Sequence, residues 1–389
     1  MIRLRVVAVL ASAGILAGLA SCGKQGPLQP TFHATGKPAT LSAWNLFDIR
    51  GGQLVLADRV TPYDLNSPLF SDYAHKLRTV WLPDGEPARY SEDETFAFPV
   101  GTIISKTFYY PSARSATPGV VAVRLADDTS DQRIAEGFDL DQVRLIETRL
   151  LVRRDEGWVA LPYVWNDAQD DAVLKRAGDL QSLQLVNADD DATPFAYVVP
   201  NANQCAGCHA TNATTRAIMP IGPKARHLNK DYIYADGVEN QLSRWQSLGM
   251  LDGSFELSKV QKNAVWDDPS ADLNARARAY LDINCAHCHN EVGPADTSGL
   301  HLEASTPMGV HLGLCKLPIA AGTGTGNRKF DIVPGKPDES IFTFRMASTN
   351  PAVMMPELGR SLMHQDGVAL ISEWIGAMAG GCGEPQARK

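Results

Sequence analysis

One five-residue pattern occurs twice in this chain, as Cys205-Ala206-Gly207-Cys208-His209 and as Cys285-Ala286-His287-Cys288-His289. Two thiols three positions apart, with an imidazole directly after the second, is the spacing that covalent attachment of a c-type haem requires. The thiols form thioethers with the vinyl groups, and the adjacent imidazole turns under the ring to bind iron. A zinc ribbon built from two Cys-x-x-Cys pairs wants them about 15–20 residues apart, whereas Cys208 and Cys285 are 77 positions apart. A thioredoxin-like pair occurs once, on a βαβ unit. Neither alternative requires the histidine that follows both motifs. The spacing therefore predicts two covalently bound haem c groups, attached through Cys205, Cys208, Cys285 and Cys288, with His209 and His289 as the proximal iron ligands.

The N-terminus predicts export. Arg3 and Arg5 precede an apolar stretch from Val6 to Leu19, too short for a membrane-spanning helix, which needs about 20 residues, and patterned as a signal peptide over 1–21. Leu19-Ala20-Ser21-Cys22 resembles a bacterial lipoprotein processing box, which makes Cys22 the lipidation site. Gly23 follows, so a periplasmic protein tethered to the outer membrane is expected. Of the seven cysteines, four go to haem and Cys22 to lipid. Cys315 and Cys382 remain, a pair that an oxidising compartment can join in a disulfide, two unpaired buried thiols being the alternative.

The chain carries 36 basic and 44 acidic residues, a formal net charge of −8. Removing the signal segment takes two arginines with it and makes the balance more acidic. No basic stripe is present, so no nucleic-acid partner is expected. An acidic surface suits a redox partner protein of opposite charge.

Residues 22–40 are rich in Gly, Pro, Gln and Thr and are expected to form a lipidated tether. From 41 to 200 the pattern is that of strands, among them Gln53–Leu56, Leu77–Leu82, Thr102–Tyr110, Val120–Leu125, Val143–Val152, Trp158–Trp165 and Phe195–Val199. Turns of Pro, Gly and Asp separate them, as in an all-β sandwich-like domain. After Pro200 the character changes. Residues 201–265 are expected to form a first haem-binding segment. Residues 266–389 are expected to form a second, with helices over Arg276–Ile283 and Gly367–Met378. The expected fold class is multidomain, an N-terminal all-β domain followed by a mainly α haem-binding region ending in a class I cytochrome c-like domain.

An electron-carrying haem needs a sixth iron ligand, and the soft thioether of methionine favours Fe(II). For the second haem the candidate is Met355, just before Pro356 and the last helix, with Met354 as the alternative. For the first haem the candidates are Met219, ten residues beyond His209, and His227, or else the position is vacant or filled from afar. His287 is expected to be solvated. Asp189-Asp190-Asp191 reads as a solvated acidic turn rather than a Ca²⁺ site. Trp158, Tyr163 and Trp165 read as sandwich core.

Several further segments carry a resemblance: Pro62-Tyr63-Asp64-Leu65-Asn66-Ser67-Pro68-Leu69-Phe70-Ser71-Asp72-Tyr73-Ala74, Phe98-Pro99-Val100-Gly101, Ile146-Glu147-Thr148-Arg149-Leu150, Asn203-Gln204 before the first motif, Ile221-Gly222-Pro223-Lys224, Leu228-Asn229, Asn240-Gln241-Leu242 and Val333-Pro334-Gly335-Lys336-Pro337. With the two motifs, they resemble a little-characterised bacterial family of dihaem c-type cytochrome lipoproteins. The resemblance implies haem binding and electron transfer at the cell envelope, with no catalytic residue and no known substrate. The rival class is an enzyme, a dihaem peroxidase or other haem oxidoreductase with one open iron, for which only Glu239 and His227 lie near enough in sequence to serve as acid or base. A third class is a binding protein acting through residues 41–200.

Overall fold

The computed structural model describes residues 28–383 except 116, 128–132, 135, 136 and 320. The signal segment and Cys22 lie outside the described residues. Among those described, no helix is long and apolar enough to cross a membrane.

The scaffold is a six-stranded antiparallel sheet. In chain order its strands are β1 (Thr61–Tyr63), β2 (His75–Trp81), β3 (Ile103–Pro111), β4 (Val143–Arg154), β5 (Gly157–Trp165) and β6 (Ala172–Leu174), each beside the next. These runs are rich in β-branched and aromatic residues, which suit a pleated surface packed on both faces. A four-stranded sheet covers one face, and Leu77, Ile103, Tyr109, Leu150, Val152 and Tyr163 pack there around Leu54 and Phe138.

The other face is shared. At one end Val80, Ile104, Leu151 and Trp158 pack against the short helices α2 (Ala225–Leu228) and α3 (Gln241–Ser247). At the other, Phe108, Tyr110, Ile146 and Val164 meet a three-stranded sheet of Val121–Arg124, Asp179–Val186 and Ala192–Val199. A bulge between Leu145 and Glu147 shifts the register of β4 against β3. It pairs Glu147 with Phe108, so an acidic side chain enters an apolar face.

The expectation of a mainly α haem-binding region ending in a class I cytochrome c-like domain is overturned. The chain is mostly β, 28% strand against 20% helix. The α-helices of the described residues are α1 (Ala202–His209), α2, α3, α4 (Leu273–Asn284), α5 (Ile341–Ala347) and α6 (Gln365–Gly376), none longer than 12 residues. The cause is composition. Between α4 and α5 the chain meets Gly293, Pro294, Gly299, Pro307, Gly309, Gly313, Pro318, Gly322, Gly324, Gly326, Pro334, Gly335 and Pro337. Helix-breaking residues at such intervals allow only isolated 3-10 turns, as at Asp296–Ser298, Val310–Leu312 and Gly322–Thr325.

Within that region α4 is started by Asp272, whose Oδ1 accepts from the Ala275 N–H at 2.9 Å. It buries Ala277, Tyr280 and Leu281 against Leu370, Ile371 and Trp374 of α6. A disulfide joins Cys315 to Cys382, tying the loop after the second motif to the segment that follows α6.

Candidate functional site

The first motif is itself a helix. It follows the strand Ala192–Val199 directly, and α1 carries it whole. Asn201 caps α1, its Oδ1 accepting from the N–H groups of Asn203 and Gln204 at 3.0 and 2.9 Å, while the Gln204 side chain accepts from the Asn201 N–H. The signal for this capping box, Asn-x-x-Gln, stands in the sequence and was overlooked. On a helix, positions i, i+3 and i+4 share one face, so Cys205, Cys208 and His209 project together. The second motif sits at the C-terminal end of α4, where Cys285 is the cap residue and the following residues continue in turns.

Both motif histidines have a fixed tautomer. His209 donates from Nδ1 to the Met219 carbonyl at 2.7 Å. His289 donates from Nδ1 to Ser298 Oγ at 3.1 Å, because that hydroxyl spends its own proton on the Ala295 carbonyl at 2.7 Å. Each ring therefore keeps an unprotonated Nε2, the state needed to bind iron. Burial, then Lys106, draws His209 down to about 3, and burial, then Arg345 and Lys316, draws His289 down to about 4. Both rings are neutral at physiological pH. None of the four motif cysteines is joined in a disulfide, and burial pushes the thiols of Cys285 and Cys288 up to about 12.

The two motifs meet in space. Cys288 Sγ lies 3.6 Å from the Gly207 carbonyl oxygen, and a Cβ built on Gly207 would come within 2.8 Å of Leu358 Cδ1.

Met355 lines a cavity of about 30 Å³ with Cys285, Tyr280, Met346, Arg360 and His364. Its backbone is held at both ends. The Met355 N–H donates to the Arg345 carbonyl at 3.0 Å, and Arg360 Nη2 donates to the Met355 carbonyl at 2.9 Å and to that of Ser348 at 2.8 Å. Arg360 is buried and had no sequence signal. Met346 is a second thioether at this cavity, also missed. Met354 is buried.

Met219 lies on the Nδ1 side of His209, since its carbonyl accepts that proton and its N–H donates back to the His209 carbonyl at 2.8 Å. His227 is buried, with Asn263 Nδ2 3.3 Å from its Nδ1 and Asp282 Oδ2 3.6 Å from its Nε2. Asp282 is the centre of that network, receiving both Nε and Nη2 of Arg226 at 2.7 and 2.9 Å. His287 is only 8% exposed, with no hydrogen-bond partner for Nδ1 among the described residues. The expectation that it is solvated is corrected, because the fold buries it. His287, His227, Asp282, Met219 and Lys224 line a larger cavity of about 370 Å³. Glu239 stands apart on an exposed hairpin beside Arg244.

Among the described residues, no group of three or more His, Cys, Asp or Glu could hold a metal ion, as a zinc site would require. The donor chemistry at each motif is instead two thiols and one Nε2, which suits covalent haem, where the macrocycle itself supplies the equatorial nitrogens. Comparison with models of protein families, with curated proteins and with solved structures finds no match.

Proposed function

We propose that the chain is a dihaem c-type cytochrome that carries electrons at the bacterial envelope. The observation that supports this best is the contact between the two attachment motifs, Cys288 Sγ to Gly207 O at 3.6 Å. Groups held by the two motifs would share one protein body. Bound haem supplies the one-electron iron couple. The chain's own part is to hold each group by two thiols, to present a neutral Nε2 oriented through the opposite ring nitrogen, and to exclude water.

At the second motif Met355 is the proposed sixth ligand. It shares a cavity with Cys285, and its loop is clamped by Arg360 through carbonyl oxygens rather than left to side-chain packing. Arg360 is thus a positioning residue. At the first motif, Met219 would serve through its carbonyl to orient His209. The acidic balance of the chain would steer a basic redox partner.

Three measurements on the mature protein test this. Mass spectrometry should show two haems added, and one or none would overturn the reading. Electron paramagnetic resonance of the oxidised protein should show two low-spin ferric signals. Met355→Ala should lower the reduction potential of one haem and leave the other unchanged; no optical or redox change would remove Met355 from the site. A second reading, an open iron at the first motif acting on peroxide, is favoured by the 370 Å³ cavity with its unpartnered His287 Nδ1. One high-spin signal together with peroxide turnover would replace the first reading with it.

A further inference from the structure

The face of the central sheet beneath the first motif carries a band of cations. The register sets Arg78 of β2 beside Lys106 of β3, and Lys106 beside Arg149 of β4. Lys76 lies two residues from Arg78 on the same face, opposite Phe108. Three of these charges surround one buried ring. The Arg149 guanidinium carbon is 4.3 Å from the Phe108 centroid, Lys106 Nζ 5.2 Å and Lys76 Nζ 5.8 Å. Apolar clusters flank the band on both sides, so it is a charged stripe across an otherwise hydrophobic surface.

The charges do not balance. Glu147, fully buried, takes Arg149, with Arg149 Nε donating to its Oε2 at 2.8 Å. Asp64 takes Arg78 at 2.7 Å and also Lys230. Lys76 donates to the Leu69 carbonyl at 2.9 Å, and neither Lys76 nor Lys106 has an ion-pair partner among the described residues. Asp72, the remaining acid near Lys76, spends Oδ1 on the N–H groups of Ser361 and Leu362. Four cations (Lys76, Arg78, Lys106 and Arg149) face three acids (Asp64, Asp72 and Glu147), and although Asp72 and Glu147 act on the lysines through space, neither ammonium touches a carboxylate among the described residues. Burial, with Arg149 and Arg78 close by, draws the Lys106 ammonium down to about 7. The fields of Arg149 and Lys106 both act on Cys205 and Cys208, and the band faces the first motif.

We propose that Lys76 and Lys106, backed by Arg149, form a carboxylate-binding seat whose occupant is the propionate pair of the haem attached at Cys205 and Cys208. The inference rests on the dihaem reading and adds to it the residues that neutralise one haem's carboxylates. Two propionates would give each of the two lysines the carboxylate contact that it lacks, and ammonium and guanidinium donors suit carboxylate oxygens. A soluble dicarboxylate has the same chemistry, and the experiment separates the two sources.

The test is potentiometric titration of the mature, haem-loaded protein, followed optically, on wild type, Lys106→Gln, Lys76→Gln and Lys106→Arg. Haem content is checked by mass in each. Withdrawing a cation from the propionates leaves more negative charge near the iron and favours the ferric state. Each Gln variant should shift the reduction equilibrium of one haem about tenfold toward Fe(III), ~59 mV for one electron, leaving the other haem unmoved. Lys106→Arg should restore the wild-type value, which a merely structural role of the lysine stem would not require. Unchanged potentials with two haems present would overturn the seat and leave the dihaem reading standing. A wild-type potential that moves with added succinate, and stops doing so in Lys106→Gln, would assign the seat to a soluble dicarboxylate and overturn the propionate occupant. A wild-type chain without haem would overturn the reading on which the seat rests, and the mass measurement shows that before any variant is compared.

Discussion

Asp282 shows how one residue can carry a whole interface. It lies on α4, three positions before Cys285, and is 3% exposed. Its two oxygens take the forked guanidinium of Arg226 at 2.7 and 2.9 Å, and Asn263 donates to it at 2.8 Å. Burial alone would raise its pKa, but the bonds from Arg226, the nearby His227 and the Asn263 amide outweigh it and hold the carboxyl down at about 2, from an ordinary 3.8. A carboxyl depressed in the folded state contributes stability that is complete above its unfolded pKa and is lost as pH falls through the folded one. The contribution is about 2 kcal/mol, present above pH ~4 and disappearing toward pH ~2. Asp282→Asn leaves Arg226 buried without its counter-ion and should cost roughly 3 kcal/mol near neutral pH. Urea unfolding of both proteins should show a gap that narrows as the pH is taken from about 5 to about 3. A gap of constant size across that range would mean the ion pair contributes nothing through ionisation.

At the scale of elements, the first motif depends on a helix that could not stand alone. α1 has eight residues, well below the 12–15 that give even marginal helicity in water. Its start is fixed by the Asn201–Gln204 capping box and its end by the His209–Met219 pairing. Asn201→Ala should lower stability by about 1 kcal/mol, and Asn201→Asp should recover most of it, since both Asn and Asp accept from the N2 and N3 amides. Thermal unfolding reads the difference, and equal melting of all three proteins would mean packing alone shapes this helix. The two motifs, the alternating strands and the helices around Tyr280 and Trp374 were legible because each is a short pattern with a local cause. The error came from joining α4 and α6 into a mainly α domain. Between them lie loops whose structure depends on where distant residues anchor them, as Arg278 does by donating to the carbonyls of Glu303 and Ala304 at 2.8 and 2.9 Å. The clamp of Arg360 and the enclosure of His287 were invisible for the same reason. Each is made by segments that meet only after the chain has folded.

For the whole molecule, the segment from Asp64 to Tyr73 is the strap that makes one body of the sheet and both motif regions. The Asn66 side chain donates to the carbonyls of Arg226 and Asn229, and Ser67 donates to that of Ala264. The Phe70 N–H reaches Asn284 Oδ1 at 2.8 Å, one residue before Cys285. Asp72 Oδ1 takes the N–H groups of Ser361 and Leu362, each at 2.7 Å, and Tyr73 Oη donates to the Met363 carbonyl. Asp72 and Tyr73 sit at φ 50° and 63°, a left-handed conformation costing of order 1 kcal/mol or more per non-glycine residue, so these bonds must outweigh strain as well as burial. Bonds from the strap reach residues beyond the sequence boundaries at 200 and 265, so the segments on either side of them are expected to unfold together. Unfolding in urea should then be a single transition, superimposable by far-UV circular dichroism, which reports mainly the sheets, and by tryptophan fluorescence, which includes Trp374 of α6. Asp72→Ala strips two backbone donors of their buried acceptor and should cost about 3 kcal/mol. The loss should fall on the joint, so the two probes in the variant should separate, with fluorescence changing at lower urea as the Ser361–Leu362 turn and α6 release first. Probes that stay coincident in Asp72→Ala, at an unchanged midpoint, would mean the sheet and the second motif are held together elsewhere and the strap is a passenger.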